Sequence, residues 1–201
     1  MPSALLRRKI REALPLAQTF HGVCTRIPDT ARVREGRALS SEGSFIWGGR
    51  YNPKGGFGAL YLSCTRDTCL AEVAYYLKRA GNFLADLPPE NRTKLKTELE
   101  VEVQLSYVLN LTDPAIQQLI GIHEDQLKEE WDELQAAGEE VFTQLIGKLA
   151  REAGWEALRV PSARHAGYNL VILSVENLSA SSSVLVKTQK PFDLNELAPL
   201  L

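Results

Sequence analysis

Four stretches of this sequence carry side chains suited to chemistry. In Gly48-Gly49-Arg50-Tyr51-Asn52-Pro53, one arginine sits among glycines. A guanidinium can grip a phosphate with two parallel hydrogen bonds, and glycines let the backbone approach a bulky anion. The alternative is a tight surface turn with Arg50 in water. Arg26 lies in the apolar run TFHGVCTRI. There it is either an edge residue paired with a carboxylate or a phosphate ligand lining a cleft. Tyr61 stands between Leu60 and Leu62, so in a strand it faces away from both. It is a core tyrosine, or an aromatic wall for a flat cationic ring, where stacking contributes ~1–2 kcal/mol. Glu72 falls roughly 200° around a helix from Leu70, opposite the apolar stripe and on the face of Tyr76 and Arg79. It is either solvated or placed to steady a developing oxocarbenium ion or orient a ribose hydroxyl.

A further candidate is Ser162 in Pro161-Ser162-Ala163-Arg164, which could instead bond the backbone of a turn. The sequence has no GxSxG elbow, P-loop, GxGxxG or zinc signature. His21, His123 and His165 lack ligand spacing, and Cys24, Cys64 and Cys69 form no CxxC. No metal is expected.

Hydrophobic periodicity sets the elements that must hold these residues. Strands are expected at 19–27, 59–64, 95–111, 156–160, 169–175 and 183–189. Thr65 or Asp67 can start a helix whose stripe is Leu70, Val73, Ala74 and Leu77, closed by Gly81. Asp113-Pro114 opens another helix, as a cap followed by proline. Residues 124–153 read as two helical pieces broken near Gly138, the second with Val141, Phe142, Leu145, Ile146 and Leu149 on its stripe. Residues 28–58 read as one long polar loop rich in glycine. A loop of that length in a small domain is functional or disordered. Ser3 can cap a short amphipathic helix. Strands and helices mix without regular βα repeats, which indicates an α+β domain. The boundaries expected are a helical appendage at 1–18, the domain at 19–190 and a tail at 191–201.

The length of 201 residues suits one domain, and 44% hydrophobic with 24% charged residues is ordinary for a globular protein. A net charge of −2 gives no overall pull toward nucleic acid or an anionic membrane. Residues 123–140 hold eight acids against Lys128 alone, which reads as a solvated face and argues against nucleic acid there. An odd cysteine count, no secretion signal and no apolar run of ~18 residues point to the cytosol.

Taken together, the stretches CTRI with Arg26, GGRYNPKG with Arg50, ALYLS with Tyr61, CLAEVAYY with Glu72 and LRVPSAR with Ser162 resemble the RES domain. The eleven-residue step from Tyr61 to Glu72 fits as well, and YNLVILSVENL is similar to the family's closing strand. The resemblance spans about residues 19–180. It departs in Ile27, where an aromatic residue is common, and in a somewhat long following loop.

The resemblance implies a fold like that of ADP-ribosyltransferase toxins, a split, twisted sheet around a NAD cleft with flanking helices. It implies a toxin that breaks the nicotinamide–ribose bond of NAD by hydrolysis or phosphorolysis. ADP-ribosyl transfer to a protein is the alternative, and a non-catalytic partner-binding protein is a third. NAD is then substrate rather than cofactor, and an Xre-type helix-turn-helix antitoxin is the implied partner. In this reading Arg26 and Arg50 hold the phosphates, with Asn52 also on the substrate. Tyr61 stacks on nicotinamide, Glu72 stabilises the ribosyl cation, and Ser162 supports ribose or phosphate.

Overall fold

The computed structural model describes residues 2–81 and 87–201. Strand β1 (Gln18–Arg26) and the long β3 (Lys96–Asn110) pair antiparallel along most of their length. Strands β2 (Leu60–Ser63), β5 (Tyr168–Ile172) and β4 (Ala157–Pro161) follow in that spatial order. Thr25 pairs with Ser63, and residues 108–110 of β3 pair in parallel with β4. The pairings therefore run in a closed circuit, β1-β2-β5-β4-β3 and back to β1. Strand β6 (Ser183–Phe192) joins the same edge of β3 at residues 96–104. The fold is α+β, as expected.

Alternation along the strands gives the circuit two faces. Leu60, Leu62, Leu170, Ile172, Val101, Val103 and Cys24 share one buried cluster. Residues of the other parity, Val171, Leu158 and Val160, meet the helices of a second cluster. That second layer holds α1 (Ser3–Glu12), α5 (Pro114–Ile120), α6 (Glu124–Leu127) and α8 (Phe142–Glu152). Helix α1, set apart above as an appendage, buries Leu6 and Ile10 completely, and the Trp155 indole N–H donates to Ile10 O. It starts after Pro2 with no side-chain cap, so Ser3 does not serve as the cap.

Helix α4 (Arg66–Arg79) forms where expected. The Thr65 hydroxyl caps it by accepting from the Thr68 N–H, and Gly81 follows its end at φ +98°. Its buried stripe packs on Phe192, Leu194 and Leu197, so the C-terminal segment is part of the core around α4. Asp113 caps α5 through the Ala115 N–H, as its sequence predicts.

Two expectations change. Residues 28–58 are not one structureless loop, because they contain α2 (Thr30–Arg34) and α3 (Glu42–Trp47). These turns are too short for periodicity to reveal. Residues 124–153 form three pieces, not two, with α7 (Trp131–Ala136) between α6 and α8. No described helix is long and apolar enough to cross a membrane.

Helix α8 supports the glycine-rich stretch directly. A Cβ at Gly147 would lie 1.8 Å from Tyr51 O, backbone against backbone. The Gly147→Ala variant is therefore expected to lose ~1–3 kcal/mol or more of unfolding free energy, measured by urea denaturation. A wild-type midpoint would show that this contact is not tight.

Candidate active site

Glu72 lies on α4 over the polar-bearing face of β2 and β5. Its Oε1 accepts from the Ser162 hydroxyl at 2.7 Å and from Asn169 Nδ2 at 2.7 Å. Asn169 Oδ1 in turn accepts from the Ser63 hydroxyl at 2.8 Å. Ser162 Oγ accepts the backbone N–H groups of Arg164 and His165, each at 3.1 Å. With those two donors on its oxygen, the single hydroxyl proton is left for Glu72. One carboxylate oxygen is thus fixed by two donors from separate elements, while Oε2 has no hydrogen-bond partner among the described residues.

Glu72 lines a hollow of about 170 Å³ together with Arg26, Tyr61, Ser63, Tyr76 and Asn169. An adjoining hollow of about 340 Å³ shares Arg26, Tyr61 and Tyr76 and adds Arg50, Trp47 and Trp131. Joined, the two lobes reach the size of a small-molecule site. The sequence reading gave Arg50 to the phosphates and Glu72 to the ribose of one ligand. Arg50 sits in the second lobe, because the stretch that carries it packs against α6 and α8.

The cations of the cleft differ from those that brace the elements around it. Arg66, Arg79, Arg164 and Arg37 all pair with carboxylates. Arg26 and Arg50 pair with none among the described residues. Arg26 donates from Nη1 to Ala38 O at 2.8 Å and from Nη2 to Ser40 O at 3.1 Å. Burial, reinforced by the nearby charge of Arg32, lowers its pKa to about 10, so it is still cationic at neutral pH. Arg50 Nη1 donates to the carbonyls of Leu127 and Glu129. Carbonyl acceptors orient a guanidinium and leave its charge unneutralised, which favours an incoming anion.

Tyr61 supplies its ring to both lobes, while its hydroxyl works inward. It accepts the Tyr51 N–H and donates to Asn52 Oδ1, each at 2.9 Å. Burial pushes the phenol's pKa up, so it stays protonated. Gly49 has no Cβ, and one placed there would lie 2.5 Å from the Tyr61 hydroxyl oxygen.

Two expected roles change with these contacts. Asn52 is fully buried, and its Nδ2 donates to Ser44 O and Phe57 O. It shapes the loop and holds Tyr61 rather than reaching a ligand. Ser162 is 2% exposed and committed to Glu72, so it orients the carboxylate rather than a ribose or phosphate.

Sequence reasoning missed Asn169, although a period-2 reading of YNLVIL places it away from Leu170, on the face of Tyr61. It also missed a clamp behind Ser162. The Arg164 guanidinium makes two 2.7 Å bonds to Glu130 and lies 3.4 Å over the Tyr75 ring. The acidic run at 123–140 is therefore not wholly solvated. Glu130 and Asp132 anchor Arg164 and Arg79. Nothing in the local sequence signals pairs so distant. Among the described residues, no group of three or more metal-ligating side chains occurs.

The model of the RES domain matches residues 23–195, and the chain belongs to that family. Among curated relatives, the NAD(+) phosphorylase MbcT of Mycobacterium bovis and that of Mycobacterium tuberculosis are each 33% identical over 125 residues. The match covers 61% of this chain and spans 65% of the relatives' length. A chain in the crystal structure of the M. tuberculosis MbcT–MbcA toxin–antitoxin complex has the same fold. It superposes with a TM-score of 0.66 at 21% identity, covering 98% of this chain and 96% of that one.

Two predictions follow from the carboxylate network and its clamp. Replacing Asn169 by Ala removes one charge-assisted bond to Glu72, so kcat for the reaction at this site should fall ~10–100-fold, with a smaller change in substrate affinity. Unchanged kcat would remove Asn169 from the machinery. The Arg164 hydrogen bonds hold the Glu130 pKa at about 2. Its folded-state pKa is depressed, so its contribution to stability is complete above about pH 4.3, the unfolded value, and lost as pH falls toward 2. Glu130→Gln should therefore flatten the fall of Tm across that window. An identical Tm profile would contradict the assignment.

Proposed function

We propose that this RES-domain protein is an enzyme that breaks the nicotinamide–ribose bond of NAD and passes ADP-ribose to inorganic phosphate. The observation that carries this reading is the unpartnered Oε2 of Glu72. It faces a hollow that also presents an aromatic wall and a cation with no carboxylate. The name of the curated relatives, NAD(+) phosphorylase, supports the substrate and the acceptor.

In this reading the pyridinium ring stacks on Tyr61. Arg26, which lines both lobes, and Arg50, in the second, hold the two phosphate groups. The C1′–N bond lengthens, its electron pair moves to the ring nitrogen, and nicotinamide departs neutral. No general acid is required. Positive charge develops on the ribose, and the Glu72 carboxylate stabilises it by ~3–4 kcal/mol. A phosphate oxygen then bonds to C1′. Ser162 and Asn169 keep Glu72 from turning away while its charge is needed.

The fold neighbour comes from a toxin–antitoxin complex, which supports a toxin that depletes NAD and is restrained by a protein partner. An Xre-type helix-turn-helix antitoxin is the partner that fits this family, and the cytosol is where its substrate would be met.

The test is purified protein with NAD, with and without phosphate, followed by chromatography of nicotinamide. Phosphate-dependent release is expected, and Glu72→Gln should lower kcat by ~10²–10³-fold while still binding NAD. Release indifferent to phosphate would indicate hydrolysis. A protein labelled from NAD in a lysate would indicate ADP-ribosyl transfer. No release under any condition would overturn the reading.

A further inference from the structure

Two thiols outside the cleft face each other across a strand pair. Thr25 of β1 pairs with Ser63 of β2 in antiparallel register, so Cys24 stands opposite Cys64. The Cys64 N–H points away from β1, donating to Tyr168 O of β5 at 2.9 Å. Cys24 and Cys64 are therefore a non-hydrogen-bonded pair across β1 and β2. In such pairs the Cα atoms lie about 4.5 Å apart and both side chains project from one face. A disulfide spans Cα separations of about 4.4–6.8 Å. The spacing of this register falls within that range.

The surroundings suit oxidation at one of the two sulfurs. Both thiols are free; Cys24 is buried and Cys64 half-buried, so an oxidant meets Cys64 first. Arg159 of β4 pairs with Leu170 and Tyr168 with Pro161, which puts Arg159 and Tyr168 on the thiol face. The Arg159 guanidinium lies 4.8 Å over the Tyr168 ring, and its buried Nε has no hydrogen-bond partner among the described residues. Contact with Cys24, and then the charge of Arg159, move the Cys64 thiol below its usual pKa range. Contact with Cys64 and burial push Cys24 up. Cys69, buried on α4, is pushed up to about 12 by burial and stands apart.

We propose that Cys24 and Cys64 form a peroxide-reactive dithiol that closes into a cross-strand disulfide. The Cys64 thiolate attacks one peroxide oxygen, and the O–O bond breaks to give a sulfenic acid and hydroxide, which takes up a proton as water. The Cys24 thiol then attacks the Cys64 sulfur and displaces its oxygen as a second water. Two thiols are oxidised by two electrons, and one hydrogen peroxide is reduced to two waters. The new bond joins β1 to β2 one residue from the Thr25–Ser63 pair, and so staples the strands that bring Arg26 and Ser63 to the cleft.

The experiment treats the full chain with stoichiometric hydrogen peroxide, then denatures and alkylates it for intact-mass and peptide analysis. The expected product has lost two hydrogens, keeps one alkylatable thiol, and contains a peptide linking Cys24 to Cys64 that a dithiol reductant releases. Cys69→Ser should keep the linkage. Cys24→Ser should leave a Cys64 sulfenic acid that a cyclic dione traps. Three alkylatable thiols after treatment, or a linkage through Cys69 or between two chains, would overturn the proposal. The wild-type peptide map decides the matter even where a variant folds poorly, and it does not depend on turnover of NAD.

Discussion

The cleft depends on one carboxylate being half satisfied. Ser162 and Asn169 both donate to the same oxygen of Glu72 and none of the described residues donates to the other. A carboxylate with both oxygens bound would be a structural ion. One with neither bound would rotate freely and lose rotamer entropy on meeting a ligand. Fixing one oxygen sets the direction of the other at no cost during a reaction. The carboxylate comes from α4 and the groups that fix it from β5 and the turn after β4, so the site is a property of the assembled sheet rather than of any single motif.

The same division of labour runs through the cations. Two arginines that brace the elements beside the cleft are neutralised by carboxylates. Arg66 bridges Glu98 and Glu196, and Arg164 clamps Glu130. The two arginines at the cleft are held by carbonyl oxygens alone. A partly buried guanidinium without a counter-ion is unfavourable, and the fold tolerates it where an anion completes the site. Two guanidiniums, an aromatic ring and a carboxylate around joined hollows match a ligand that is anionic at one end and cationic at the other.

Much of this was legible in the residues. Strand alternation located β1, β2, β3 and the face of Tyr61, and the stripe from Leu70 to Leu77 placed Glu72 on the opposite side of its helix. Those periods are set by burial, and burial leaves a mark at fixed spacing. The sequence pattern also singled out Arg26, Arg50 and Ser162. What it could not supply was direction. Ser162 turns toward Glu72 rather than a ligand because two backbone N–H groups occupy its oxygen. Asn52 turns inward because its amide joins two carbonyls of the same loop. Arg50 is drawn to a second lobe by carbonyls nearly 80 positions further on. The short helices α2 and α3 escaped notice because one turn is too brief to show a period. The Arg164–Glu130 pair joins residues 34 apart, and no local signal encodes that.

The most direct measurement is a crystal structure of the Glu72→Gln protein with NAD bound. The account predicts the nicotinamide ring against Tyr61, its ribose next to the amide at position 72, and the diphosphate between Arg26 and Arg50. A dinucleotide seated elsewhere, for instance in the basic hollow of Arg32, Arg34 and Lys94, would contradict it.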